Sequence, residues 1–286
     1  MKITRSITSV RSDVAKWRNK GLTIGFVPTM GALHAGHMAL VHRSKQTCDR
    51  TIVSVFVNPT QFGLKEDIAK YPRTWSPDRD LCEDAGVDLI FAPAADTMYP
   101  DGFSTSIRVG RIGELWEGAS RPGHFDGVAT VVAKLFHIVT PDSAIFGQKD
   151  FQQTVVIKRM VADLNLPVRI VVVPTVREPG GLAMSSRNVY LGTLSRTDAR
   201  SIYRSLKWAE RQVRSGVRRV SRLTKEMTRM VEAGNRFKID YIGFCNTETL
   251  EINTAANPPL VILIAARCVV KGPAYGRRYI DNLIVR

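Results

Sequence analysis

Leu22-Thr23-Ile24-Gly25-Phe26-Val27, followed by Pro28-Thr29-Met30-Gly31-Ala32-Leu33-His34-Ala35-Gly36-His37, decides the fold. The first six residues are nearly all apolar, as in a strand buried on both faces. A glycine-containing loop follows, and helical spacing then runs over His37–Thr47. Strand, short loop and helix make the opening of a βαβ unit. Further apolar runs at Thr51–Val57, Asp88–Ala92, Ser143–Phe146 and Val168–Val173 alternate with helical periodicity at Pro77–Ala85, Val128–Val139 and Phe151–Leu164. That alternation predicts an α/β fold, a Rossmann-like doubly wound parallel sheet over residues 1–176.

Past Pro174 the pattern changes. A Gly- and Ser-rich stretch, Glu178–Asn188, leads into basic helices that end at Gly234. Apolar segments then come at Ile239–Phe244, Leu260–Ala265 and near Tyr279–Val285. Helices followed by strands predict a smaller C-terminal α+β domain, residues 177–286, with an antiparallel sheet. A chain of 286 residues has room for two such domains.

Composition excludes several classes. Hydrophobic residues make up 44% and charged residues 23%, which is a globular balance rather than a disordered or fibrous one. No apolar run reaches the roughly 18–20 residues that span a bilayer, and the N-terminus carries no apolar signal core. The expectation is a soluble, cytoplasmic chain. Cys48, Cys82, Cys245 and Cys268 are scattered without C-x-x-C spacing, which suits four reduced thiols rather than a disulfide framework or a zinc site.

The net charge is +15, and over half of it lies between Arg196 and Arg236, with twelve basic residues against four acidic. Arg196, Arg200, Arg204, Lys207, Arg211 and Arg214 step by three or four along one helix face, opposite Ala199, Ile202, Tyr203, Leu206 and Val213. Ser195 and Asp198 have capping-box spacing, which predicts the helix start there. Little aromatic interleaving accompanies the stripe, so a solvated face or steering of anionic substrates is preferred over nucleic-acid or membrane contact.

Chemistry concentrates at strand ends, where ligands of open α/β sheets bind. In Met30–His37, loop amides at a helix N-terminus form an anion site, and His34 and His37, three residues apart, can stabilise charge on a phosphate. Metal binding by the two histidines is the competing reading; it would want a third ligand, and a helix N-terminus repels cations. Asn58 and Gln61 follow the next strand as neutral donors and acceptors suited to hydroxyls and a carboxylate. In Gly147-Gln148-Lys149-Asp150, the glycine permits backbone approach, Lys149 can neutralise phosphate, and Asp150 can accept from ribose hydroxyls. Gln153 lies one helical turn beyond Lys149. Met184-Ser185-Ser186-Arg187 offers hydroxyls and a guanidinium suited to nucleotide phosphates.

Taken together, Pro28–His37, Phe56–Phe62, Tyr71–Thr74, Glu117–Phe125, Phe146–Gln153, Gly181–Tyr190 and Ile280-Asp281-Asn282 resemble the pantothenate synthetase (pantoate–β-alanine ligase) family of the nucleotidyltransferase superfamily. The resemblance implies ATP-dependent condensation of (R)-pantoate with β-alanine through an enzyme-bound pantoyl adenylate, releasing pyrophosphate and AMP. It implies that residues 1–176 bind ATP and pantoate and that 177–286 form a lid. It places Met30, Gly31, Ala32, Leu33, His34, Ala35, Gly36, His37, Gly147, Gln148, Lys149, Asp150, the backbone of Val176, Met184, Ser185, Ser186 and Arg187 on ATP. His34, His37 and Lys149 are the implied catalytic groups, and Gln61, Gln153 and Asn58 would hold pantoate and β-alanine. Mg²⁺ would be carried on ATP phosphates without a dedicated protein metal site. A homodimer is implied, with no nucleic-acid or membrane partner. Gly180-Gly181 departs from the Asp-Gly common in the family, which predicts a looser loop. The remaining alternatives are another H-x-G-H nucleotidyltransferase and a tRNA-binding protein using the Arg196–Arg236 stripe.

Overall fold

A computed structural model describes residues 1–63, 68 and 71–286 of the chain. Two compact units are present: residues 1–148 with 152–174, and residues 149–151 with 175–286.

The first unit contains β1 (Lys2–Thr4), α1 (Ile7–Arg18), β2 (Ile24–Thr29), α2 (Ala35–Thr47), β3 (Arg50–Val55), α3 (Trp75–Asp84), β4 (Leu89–Phe91), the single turns α4 (Ala95–Met98), α5 (Arg111–Glu114) and α6 (Glu117–Ser120), α7 (His124–Val139), β5 (Ser143–Gly147), most of α8 (Phe151–Asp163) and β6 (Arg169–Val173). Its six strands form one parallel sheet in the order β1-β4-β3-β2-β5-β6. Alternate residues of each inner strand serve two cores, as the pleat requires. Phe26, Leu89 and Phe91 pack with α1 and α7 on one face, while Val27, Ile90 and Ile145 pack with Leu40 and Val41 of α2 on the other. The apolar runs read from the sequence are therefore strands covered on both sides.

From β2 the chain moves outward one way to β3 and β4, then returns to add β5 and β6 on the other side. The direction reverses between β2 and β5, and such a switch point leaves a crevice beyond the strand carboxyl ends. The Met30–His37 loop leaves β2 there, and Gly147 and Gln148 leave β5.

The second unit contains α9 (Thr193–Arg214), α10 (Val220–Glu232) and the antiparallel strands β7 (Phe237–Cys245), β8 (Leu260–Cys268) and β9 (Arg278–Val285), in the order β7-β8-β9. Ile202, Leu206 and Val213 of α9 and Leu223, Met227 and Val231 of α10 pack on Phe244, Ile262 and Ile264 of this sheet.

Three local expectations are corrected. β1 and α1 precede what the sequence presented as the first strand; Ile7, Val10, Val14 and Trp17 carry the face that α1 packs on the core, and Ser6 caps it. Helix α2 opens at Ala35, not His37, because His34 is its N-cap. Helix α9 starts at Thr193 with Gly192 as N-cap, so Ser195 and Asp198 form no capping box; Asp198 pairs with Arg236 at 3.1 Å. The Gly180-Gly181 turn carries two hydrogen bonds of its own. Both residues have φ above +90°, which glycine tolerates, Gly181 N–H donates to Glu178 O, and Gly181 O accepts from Arg177 Nη1, each at 2.9 Å.

All four cysteines are free, and burial pushes the Cys82 and Cys245 thiols up to about 12, which keeps both unreactive at neutral pH. Among the described residues no helix is long and apolar enough to cross a membrane.

Candidate active site

The Met30–His37 loop has most of its backbone donors committed. Gly31 N–H donates to Thr29 Oγ1 at 3.2 Å, and Ala32 and Leu33 N–H donate to the Asp78 carboxylate at 2.9 and 2.8 Å. Gly36 N–H donates to His34 Nδ1 at 3.1 Å, and His37 N–H to His34 O at 2.8 Å. The expected cradle of loop amides is therefore largely internal, and charge on an anion falls mainly to side chains and the helix dipole. Ala32 lies at φ +51°, a conformation costly for a residue with a Cβ. Asp78, buried at the start of α3 and also bonded by Thr74 Oγ1 at 3.0 Å, offsets that strain. Sequence reading missed Asp78, because nothing near residue 78 points to a loop over forty residues upstream.

The His34 and His37 ring centroids stand 4.1 Å apart. Since His34 Nδ1 accepts from Gly36 N–H, a neutral His34 ring carries its proton on Nε2, which makes that nitrogen a donor. His34→Asn separates the two roles. Asparagine caps a helix as well as any residue, so the unfolding temperature should match wild type, while loss of the ring donor should lower turnover by about 10²-fold. Turnover within about twofold of wild type at an unchanged unfolding temperature would show that His34 is only a cap.

Asn58, Gln61 and Met30 are brought together. Asn58 caps the 3₁₀ turn Pro59–Gln61 after β3 and Gln61 is its last residue, and both are buried. Asn58 Nδ2 donates to Gln61 Oε1 at 3.2 Å and to Gly127 O at 3.2 Å; Tyr99 OH donates to Asn58 Oδ1 at 2.7 Å. Gln61 Nε2 reaches Met30 Sδ at 3.0 Å, a weak acceptor that a better one can displace. A Cβ on Gly127 would lie 2.4 Å from Thr60 O, so only glycine lets α7 approach this turn so closely.

Gln61 is also held through its backbone, a feature not read from the sequence. His124 Nδ1 lies 2.8 Å from Gln61 O, and a carbonyl only accepts, so the ring proton is on Nδ1. Nε2 of the neutral ring then accepts from Arg121 Nη1 at 3.0 Å. The Arg121-Pro-Gly-His124 segment thus fixes the turn that carries Gln61. The neighbours Gln152 and Gln153 differ: Gln152 is buried, its amide tying Ile112 O, Leu115 O and Glu117 N at 2.8, 2.8 and 3.1 Å, while Gln153 is half-buried.

Gly147 and Gln148 end the first stretch of the first unit, whereas Lys149, Asp150, Val176 and Met184–Arg187 lie in the second unit. Lys149 Nζ is 3.2 Å from Asp150 Oδ1, and Lys149 O accepts from Asn282 Nδ2 at 2.9 Å. Val176 O accepts from Met184 N–H at 2.9 Å. Ser185 Oγ caps the 3₁₀ turn Ser186–Tyr190 by accepting from Arg187 N–H at 3.2 Å, and Tyr279 OH donates to Arg187 O at 3.2 Å. Among the described residues no group of three or more His, Cys, Asp or Glu side chains is placed to hold a metal ion.

The family profile described as pantoate-beta-alanine ligase matches residues 2–284. The chain belongs to the pantoate–β-alanine ligase family. Pantothenate synthetase of Caldicellulosiruptor bescii is 50% identical over 285 residues, covering 100% of this chain and 99% of its own. A crystal structure of pantothenate synthetase from Thermus thermophilus has a TM-score of 0.91 at 44% identity, covering 99% of both chains. A pantoate–β-alanine ligase from Francisella tularensis, complexed with beta-gamma ATP and β-alanine, has a TM-score of 0.80 at 36% identity, covering 99% of this chain and 97% of that one. This ligase is thus an enzyme that joins pantoate to β-alanine, with the six-stranded parallel sheet and small antiparallel sheet of its relatives.

Proposed function

We propose that ATP drives this condensation through an enzyme-bound pantoyl adenylate. A pantoate carboxylate oxygen attacks the α-phosphorus, and the bond to pyrophosphate breaks. The neutral amine of β-alanine then attacks the acyl carbon, expels AMP, and loses its proton to solvent or to AMP. A carboxylate is already ionised at pH 7, so the first step needs alignment and charge neutralisation more than a base.

The observation that carries the reading is the exit of the H-x-G-H loop and of the Gly147–Asp150 segment from neighbouring strands on either side of the switch point. In this assignment Met30–His37, Gly147 and Gln148 bind ATP, with the His34 and His37 rings on its phosphates. Lys149, Asp150, the Val176 backbone and Met184–Arg187 bind it too, with Lys149 on the phosphates and Asp150 at the ribose. Asn58, Gln61 and Gln153 hold pantoate, and Gln61 also meets β-alanine. The Gln61 amide suits that role, because the Gln61 main-chain carbonyl is clamped by His124 while the side-chain nitrogen meets the Met30 thioether, a weak acceptor. Mg²⁺ rides on phosphate oxygens and water, the mode usual for this cation beside nucleotide phosphates. A cytoplasmic homodimer completes the reading and follows the family resemblance.

The test supplies ATP and Mg²⁺ with pantoate and β-alanine, singly and together. Pyrophosphate should appear with pantoate alone, near one equivalent per site, and AMP only once β-alanine is added. AMP formed without pantoate would overturn the assignment.

A further inference from the structure

The Ile280-Asp281-Asn282 segment has no part in the chemistry so far, yet β9 touches two pieces of the second unit that the proposed site uses, and Arg177 besides. Tyr279 OH donates to Arg187 O at 3.2 Å. The Asp281 carboxylate, 4% exposed, receives Arg177 Nη1 and Nη2 at 2.6 and 3.0 Å and the Asn282 N–H at 2.8 Å. Arg177 in turn donates to Gly181 O at 2.9 Å, on the turn that leads to Met184–Arg187. Asn282, 2% exposed, donates its side-chain amide to Lys149 O at 2.9 Å. A strand paired along its whole length with β8 is a rigid template for these contacts.

We propose that Asn282 is a positioning residue for adenylation, setting Lys149 through its main-chain carbonyl, while Asp281 and Arg177 set the loop that carries Ser185, Ser186 and Arg187. The proposal rests on the reading that Lys149 neutralises ATP phosphates. The carbonyl bond fixes where the Lys149 Cα sits, and so which way the ammonium points. The flexible side chain alone would sample many directions. Asp281 supplies a second constraint, because its bond to the Asn282 N–H fixes the backbone from which the Asn282 amide is presented.

Asn282→Leu keeps the volume and removes the donor. The two half-reactions are measured separately: pantoate-dependent exchange of labelled pyrophosphate into ATP, and transfer from preformed pantoyl adenylate to β-alanine. Exchange should fall roughly 10–100-fold, as a misplacement near 1 Å costs, while transfer stays within about twofold, because pyrophosphate has already left. Lys149→Ala and the double variant complete a cycle. If Asn282 acts through Lys149, the double variant exchanges no more slowly than Lys149→Ala alone. Additive losses, equal losses in both half-reactions, or exchange within twofold of wild type in Asn282→Leu would overturn the proposal. Full exchange in Lys149→Ala would instead overturn the Lys149 assignment. Should Asn282→Leu not fold, Asn282→Ala is carried through the same cycle.

Discussion

Lys149→Ala is expected to lower pantoate-dependent pyrophosphate release by about 10²–10³-fold, the cost of losing one aimed charge or donor at a transition state. Folding should barely change. The side chain is 18% exposed, and its one ion pair among the described residues is with Asp150, itself 45% exposed. Pairs of that kind contribute about 0–1 kcal/mol. Lys149→Arg keeps the charge, but its planar fork on a different stem does not reproduce the position of an ammonium, so it should recover only part of the loss. Release within tenfold of wild type in Lys149→Ala, at unchanged unfolding temperature, would mean that phosphate charge is met elsewhere. The deficit should also depend little on pantoate concentration, since Lys149 acts on the nucleotide.

The elements legible in the sequence are those whose pattern is local. β2, β3, β5 and β6 read as apolar runs because both sheet faces are covered, and β7–β9 read as three apolar segments after two helices. β1, only three residues long at the sheet edge, has no pattern to read. The turns α4, α5 and α6 are too short for periodicity. The site divides in the same way. Strand-end loops such as Met30–His37 are visible because glycines and histidines cluster in sequence. The groups that fix them are not, because they arrive from distant elements: Asp78 at Ala32 and Leu33, His124 at Gln61, and Asn282 at Lys149.

The basic stretch illustrates a second limit. Spacing puts its cations on one helix face but does not show what neutralises them. Arg196 meets Glu178 at 2.6 Å, Arg214 meets Glu210 at 3.1 Å beside Lys207, and Arg236 meets Asp198. The Glu178–Arg196 pair also positions the loop, because Asn188 donates to Glu178 Oε1 at 2.7 Å and Arg196 Nη2 donates to Asn188 O at 2.7 Å. Part of the charge that stands out in the sequence thus belongs to internal contacts of the second unit.

Arg177→Ala should have the largest effect on stability, and the effect should depend on pH. Removing one partner of a buried pair costs about 3–5 kcal/mol, because the other charge is left without compensation. Here the remaining group is Asp281, with a side chain 3% exposed. Burial pushes its carboxyl above the usual carboxylate range even in the intact protein, while the Arg177 guanidinium and the Asn282 N–H work against that shift. Without Arg177 the opposition weakens and the folded-state pKa rises further. A carboxyl whose folded value lies above its unfolded one favours the folded state most when protonated, and that advantage is lost as pH rises through the folded value. The variant should therefore be much less stable than wild type at pH 7, and the gap should narrow as pH falls toward the unfolded Asp value near 4. Parallel unfolding curves of both proteins at several pH values measure that gap, and groups common to both cancel. Arg177→Ala with Asp281→Asn should recover part of the loss at pH 7, since a neutral amide costs less to bury. Recovery should be incomplete, because the Arg177 guanidinium also lies 3.7 Å over the Tyr203 ring and bonds Gly181 O. A gap that stays constant from pH 7 to pH 4 would show that the buried carboxylate has found another partner. The cost of Arg177→Ala would then be lost packing and loop anchoring rather than an uncompensated charge.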